Sequence, residues 1–184
     1  MGLIIGIVVL VILIIAYIVM YNGLQTSKVH VEETWSQIDV QLKRRNDLIP
    51  NLVSTTKGYA KHEQDTFAQV VKLRNQLTQL PADAHQEKMD VSNQLSGTLK
   101  TIFALSENYP DLKANTNFLQ LQEELTNTEN KISYSRQLYN SCVADFDRKL
   151  VTIPTSIVAK MSHMTKIEYL ATPETEKAVP KVEF

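Results

Sequence analysis

Cysteine is nearly missing from this sequence: Cys142 is the only one. That excludes an intramolecular disulfide framework and any cysteine-rich metal site. Glycine and proline are sparse, at five and six residues, and the abundant Gln, Asn, Leu, Ser and Thr between apolar spacers suit helices better than sheets. Neither charge dominates. Lys and Arg total 19 against 20 Asp and Glu, so no global electropositive field draws nucleic acid. Catalytic signatures are missing too. None of His30, His62, His85 and His163 has a Glu three residues before it, as the Glu-x-x-His pairs of di-iron bundles require. HExxH, GxSxG, Walker and dinucleotide motifs do not occur. His62 and Glu63 read as loop polarity at a helix junction. The expectation is a chain with no catalytic residue, metal or cofactor.

What is present begins at Leu3. "LIIGIVVLVILIIAYIVM", Leu3 to Met20, carries no charge. As a helix it spans roughly 27 Å, close to the thickness of a bilayer core. Its β-branched residues would favour strand in water, but in lipid the backbone must pair internally and helix wins. Tyr17 and Tyr21 stand at its end, where amphipathic rings prefer the headgroup level. A cleaved signal peptide is the rival. It needs a basic start, a shorter core and a small-x-small site, and Ala16-Tyr17-Ile18 is a poor one. Residues 1–22 therefore read as an uncleaved transmembrane anchor. Nothing basic precedes it, while Lys28, Lys43, Arg44 and Arg45 follow, which favours a cytoplasmic bundle at the cell membrane. Gly2 and Gly6 form a GxxxG at the end of the span, and a homo-oligomer through it is one option.

After the anchor, Val31, Trp35, Ile38, Leu42, Arg45, Ile49, Leu52, Thr56 and Tyr59 step by four and three, a heptad seam. This predicts a helix over 25–57, continuous with the anchor or separate from it. A second is expected over 61–79 with Phe67, Val70, Val71, Arg74 and Leu77. A third is expected over 84–108 with Met89, Val91, Leu95, Leu99, Ile102, Phe103 and Leu105. Pro110 suits a helix start. Phe118, Leu121, Leu125, Thr128, Ile132, Ser135, Tyr139, Cys142 and Phe146 mark a fourth helix ending near Ile153, before Pro154. The fold class is all-α: an N-terminal transmembrane helix, then an elongated antiparallel bundle of two long and two shorter helices with coiled-coil seams. The bundle covers 23–161, and 162–184 reads as a flexible tail, polar from about Thr172. Trp35, Tyr59 and Tyr139 lie at seam spacing, as core. Cys142 does too, as a buried small apolar residue.

"KRRNDLIPN", Lys43 to Asn51, sets three cations before a proline inside a helix. In an antiparallel pair, facing residues keep a nearly constant number sum. That places Arg45 opposite Glu129 and Asp39 opposite Arg136. Two interhelical ion pairs fixing register are the preferred reading over a ligand site. Lys43, with Asp39 and Asp47 one turn away on either side, reads as a solvated surface partner. Pro50 should kink the first long helix without ending it, freeing the carbonyl of Asn46.

"WSQIDVQLKRRNDLIPNLVSTTKGYAKHE" (35–63), "YPDLKANTNFLQLQEELTNTENKISYSRQLYN" (109–140) and "IPTSIVAKM" (153–161) resemble the LemA family of bacterial membrane proteins. With the anchor, the resemblance covers about 1–161 and departs after Met161, where an aromatic ending is replaced. It implies one N-terminal span, an antiparallel bundle and no established enzymatic activity. It also implies an HtpX-type membrane zinc protease as a candidate partner, in the setting of envelope stress.

Ile153, Ile157, Val158 and Met161 form a stripe at helical spacing just where the chain returns towards the bilayer. Two readings stand: a segment lying on the membrane surface, or packing against the base of the first long helix. The functional expectation is a non-enzymatic single-pass scaffold or adaptor whose partners are the lipid bilayer and another membrane protein. A lipid- or small-molecule-sensing module is the alternative, and a polar pocket at the kink would favour it.

Overall fold

The structure, a computed structural model, describes residues 1–59 and 63–171. Over these the chain is helical: α1 (Gly2–Lys57), α2 (Gln64–Gln79), α3 (His85–Ser106), α4 (Pro110–Lys113), α5 (Thr116–Val151) and α6 (Thr155–Met161), with no strand among the described residues. The anchor and the first seam belong to one unbroken helix of 56 residues. Nothing between Met20 and Gln25 stops it, because Gly23 alone weakens a helix without ending it.

The helix ends follow local chemistry. Pro110 opens α4 at its first turn, where a missing N–H costs nothing. Asn115 caps α5: its side-chain oxygen accepts from the N–H of Phe118 at 3.1 Å, satisfying one of the free donors of a first turn. α6 closes in a Schellman arrangement. The N–H of Met164 donates to the carbonyl of Ala159 at 3.0 Å, and that of His163 to Lys160 at 3.2 Å. His163 supplies the left-handed turn with φ 52°, a position usually given to glycine.

The chain divides into two compact units. One comprises Met1–Gln37 and Ser135–Tyr169, so it holds the start of α1, the end of α5, and α6. Within it α1 and α5 are antiparallel: Trp35 meets Tyr139 edge-on with ring centroids 6.2 Å apart, and Lys149 donates to Ser27. Its core includes Val31, Trp35, Tyr139, Val143 and Phe146. The other comprises Ile38–Tyr134 and Leu170–Phe184, of which Leu170 and Ala171 are described at the far end. It contains α2, α3 and α4 packed with the remainder of α1 and α5. Ile38, Leu42, Ile49 and Leu52 of α1 are buried there with Leu95, Leu99 and Ile102 of α3 and Phe118, Leu125 and Ile132 of α5.

The heptad reading of α1 holds from Val31 to Thr56, all buried at seam positions. It lapses at Tyr59, 41 % exposed, because α1 ends at Lys57 and the period ends with it. Tyr59 instead accepts a hydrogen bond from Asn115 at 3.2 Å. On α5, Cys142 is half-buried and its neighbour Val143 takes the core position. On α2, Leu73 is buried and Val71 is not. The buried face follows Val70, Leu73 and Leu77, one residue round from the expected stripe. Residues 162–169 carry no helix, yet the amide of Ile167 donates to Asp147 at 3.4 Å. In the second unit Leu170 is buried, and the amide of Ala171 donates to Gln86 at 3.0 Å. A tail loose from 162 onward is therefore not what the packing shows. The polar stretch from Thr172, and His62, lie outside the described residues.

Candidate functional site

Arg45 sits at an interior position of α1 with 1 % of its side chain exposed. α3 brings two small hydroxyls one turn apart to meet it. Its Nη1 donates to the Ser92 carbonyl at 3.2 Å, the Ser92 hydroxyl at 2.9 Å and the Ser96 hydroxyl at 2.9 Å. Its Nη2 pairs with Glu129 of α5. The Ser96 hydroxyl in turn donates to Glu129 at 2.8 Å. Three helices thus close a polar layer within an apolar core. Burial pushes the Arg45 guanidinium down to about 10, which leaves it charged at neutral pH. Sliding one helix past another would put Leu or Ile against this charge, so the layer opposes register shifts.

Arg45 and Glu129 are therefore brought together. Asp39 is engaged by Lys88 of α3 at 3.0 Å, and Arg136 lies buried on α5. The constant-sum rule treats two helices alone; it does not foresee that α3 also brings a cation, Lys88, to Asp39. Lys43 is exposed. Its neighbour Arg44 pairs with Glu124, both roughly half-exposed. Exposed pairs contribute only about 0–1 kcal/mol. Arg44→Ala is accordingly expected to lower stability by under about 1 kcal/mol, read as a small shift in thermal unfolding.

Pro50 lies inside α1, which continues to Lys57. Having no N–H, it cannot bond the carbonyl of Asn46. Arg74 of α2 does so, its Nε donating to that oxygen at 3.2 Å. Arg74 thus has a polar task at a position the apolar stripe had assigned it. An open groove of about 1350 Å³ lies beside the end of α1 and α2, walled by Val53, Phe67, Ala68 and Val71. Arg44, Arg45 and Pro50 do not line it. Among the described residues no group of three His, Cys, Asp or Glu is placed to hold a metal.

The stripe after α5 divides. Val158 is buried with Ala159 against Leu24 of α1, and Tyr17, Met20, Tyr21, Leu150 and Met164 pack round them. Ile153, Ile157 and Met161 are exposed, at 83 %, 57 % and 64 %. The Tyr17 and Ser162 hydroxyls stand 3.5 Å apart, and Thr155 donates to the Lys149 carbonyl at 2.7 Å. Sequence periodicity put all four residues on one stripe; Ile153 precedes α6, and within α6 the turn of about 100° per residue separates Val158 from Ile157.

These features define an all-helical bundle protein whose first helix begins with a segment long and apolar enough to cross a membrane. The LemA family model matches residues 34–184, and the chain belongs to the LemA family. The match runs past Met161, where the resemblance had been expected to stop, and omits the apolar segment. The chain is 24 % identical over 161 residues to Protein LemA of Metamycoplasma hominis, covering 88 % of this chain and 73 % of that one. It is 20 % identical over 178 residues to Magnetosome protein MamQ of Magnetospirillum gryphiswaldense, covering 84 % of this chain and 63 % of that one. The chain thus spans less than two thirds of the MamQ length.

Proposed function

We propose that this protein is a non-enzymatic, single-pass membrane scaffold or adaptor, anchored by the apolar start of α1, with its bundle on the cytoplasmic side. The observation that carries this reading is the continuity of α1. One helix, Gly2–Lys57, holds both the apolar segment and the buried seam of the bundle. Apolar residues from Leu3 to Ile15 are exposed on every side of that helix, a pattern that lipid satisfies and water does not. The cations that follow the span support the orientation.

Near Pro50, Ser92, Ser96 and Glu129 engage the Arg45 Nη groups and Arg74 engages the Asn46 carbonyl, which supports a structural layer over the sensing alternative, while Arg45 Nε and Asn46 Oδ1 are buried without a hydrogen-bond partner. The partner is another membrane protein. An HtpX-type protease remains the candidate that family resemblance offers, and self-association the other. The test is a pull-down of the full-length protein from gently solubilised membranes, with an anchor-deleted control and mass spectrometry of both. A stoichiometric membrane protein captured only with the anchor intact is the expected result. Recovery of the chain alone would overturn the adaptor reading.

A further inference from the structure

We infer that the outer face of α6, with Ile157 and Met161, together with Ile153 in the turn before it, lies in the boundary between lipid headgroups and acyl chains, so that the chain touches the bilayer a second time. The inference rests on α1 spanning that bilayer.

The depth of α6 follows from its contacts. Ser162, which closes α6, meets Tyr17 at 3.5 Å. Tyr17 lies three residues inside the end of the apolar run Leu3–Met20, a rise of roughly 4.5 Å. Val158 and Ala159 are buried against Leu24, with Met20 and Tyr21 packed on the same cluster. At the other end Thr155 bonds the Lys149 carbonyl, and Lys149 reaches Ser27 and the carbonyl of Gly23. The segment therefore descends beside α1 from the level of Gly23 to that of Tyr17. The turn at His163 and Met164 then reverses it. Tyr17 and Tyr21 stack on each other at the same level, where amphipathic rings favour the interface.

With one side of α6 against α1, its opposite side carries Ile157 and Met161 with Lys160 between them, all exposed. Ile153 and Val151 extend the apolar patch, at 83 % and 63 % exposed. The occupant is lipid rather than a partner protein because α1 itself carries the bilayer to this height. A lysine between two apolar side chains suits that position: its stem lies along the acyl boundary and its ammonium reaches headgroup phosphate.

The test uses the full chain with Cys142→Ser, reconstituted in phosphatidylcholine–phosphatidylglycerol vesicles with and without nitroxide-labelled lipid. A single cysteine carrying an environment-sensitive fluorophore is introduced as Leu10→Cys, Ile157→Cys, Met161→Cys or Glu32→Cys. Glu32 lies on the same helix, roughly 18 Å beyond Met20. Nitroxide near the headgroup should quench the labels at 157 and 161 at least about twofold more than that at 32. Nitroxide deep in the chains should quench the label at 10. If 10 is quenched but 157 and 161 behave as 32 does, the inference falls and the anchor stands. A blue-shifted label at 157 that lipid nitroxide does not quench would mean cover by a second copy, and would also overturn it. If 10 is not quenched, the anchor itself fails, and the inference with it.

Discussion

Arg45→Ala is expected to be the most damaging single change in the polar layer, lowering stability by about 3 kcal/mol. The substitution removes one cation but strands several acceptors. The carbonyl and hydroxyl of Ser92 and the Glu129 carboxylate each lose the Arg45 donor, the Ser96 hydroxyl alone cannot replace it at both Ser92 and Glu129, and a hole replaces a side chain that had almost no exposure. Losing one partner of a buried pair commonly costs about 3–5 kcal/mol. The lower end applies because Glu129 keeps 35 % of its side chain exposed and can be rehydrated. Lys43→Ala, two residues away and exposed, should change stability by no more than about 0.5 kcal/mol. The double variant Arg45→Met with Glu129→Leu should recover most of the loss, since it removes both charges and keeps the volume. Thermal unfolding of the full chain in detergent, followed by circular dichroism, separates these cases. Equal midpoints for Arg45→Ala and Lys43→Ala would show that the layer does not hold the bundle together.

Arg74→Ala should have the next largest effect, about 1–3 kcal/mol, for a reason that lies in another helix. It leaves the Asn46 carbonyl, in a residue only 6 % exposed, with neither a backbone donor nor the Arg74 Nε that now bonds it. Pro50→Ala restores the backbone donor. Arg74→Ala should then cost about 1 kcal/mol less in the Pro50→Ala background than in the parent. A double-mutant cycle by denaturant unfolding measures that difference directly. Strict additivity would mean that Arg74 acts by packing its stem and not by completing the bond that proline omits.

Much of the fold is legible along single helices. The step of four and three from Val31 to Thr56 identifies the buried face of α1, because one helix repeats its orientation every 3.6 residues whatever its neighbours are. Pro110 and Pro154 fall at or next to helix ends through their own backbone chemistry, and Gly58 directly follows the last residue of α1. The pairing of Arg45 with Glu129 follows once two helices are taken as antiparallel. Lys88 shows where such reasoning stops. It meets Asp39 from 49 residues away on a third helix, and no local period encodes which helix packs beside which. Arg74 is a similar case: its place on α2 says nothing of the Asn46 carbonyl until α2 is laid against α1.

The sequence by itself determined the all-helical class, the uncharged run long enough to cross a bilayer, and the family. Each depends on local backbone propensity, on hydrophobic length, or on motifs in order along the chain. Only the tertiary structure decided how α6 is used. Ile153, Ile157, Val158 and Met161 are alike as apolar residues. Val158 is core because Leu24 stands against it, Ile157 and Met161 remain exposed because α1 can cover only one side of α6, and Ile153 is exposed in the turn before it.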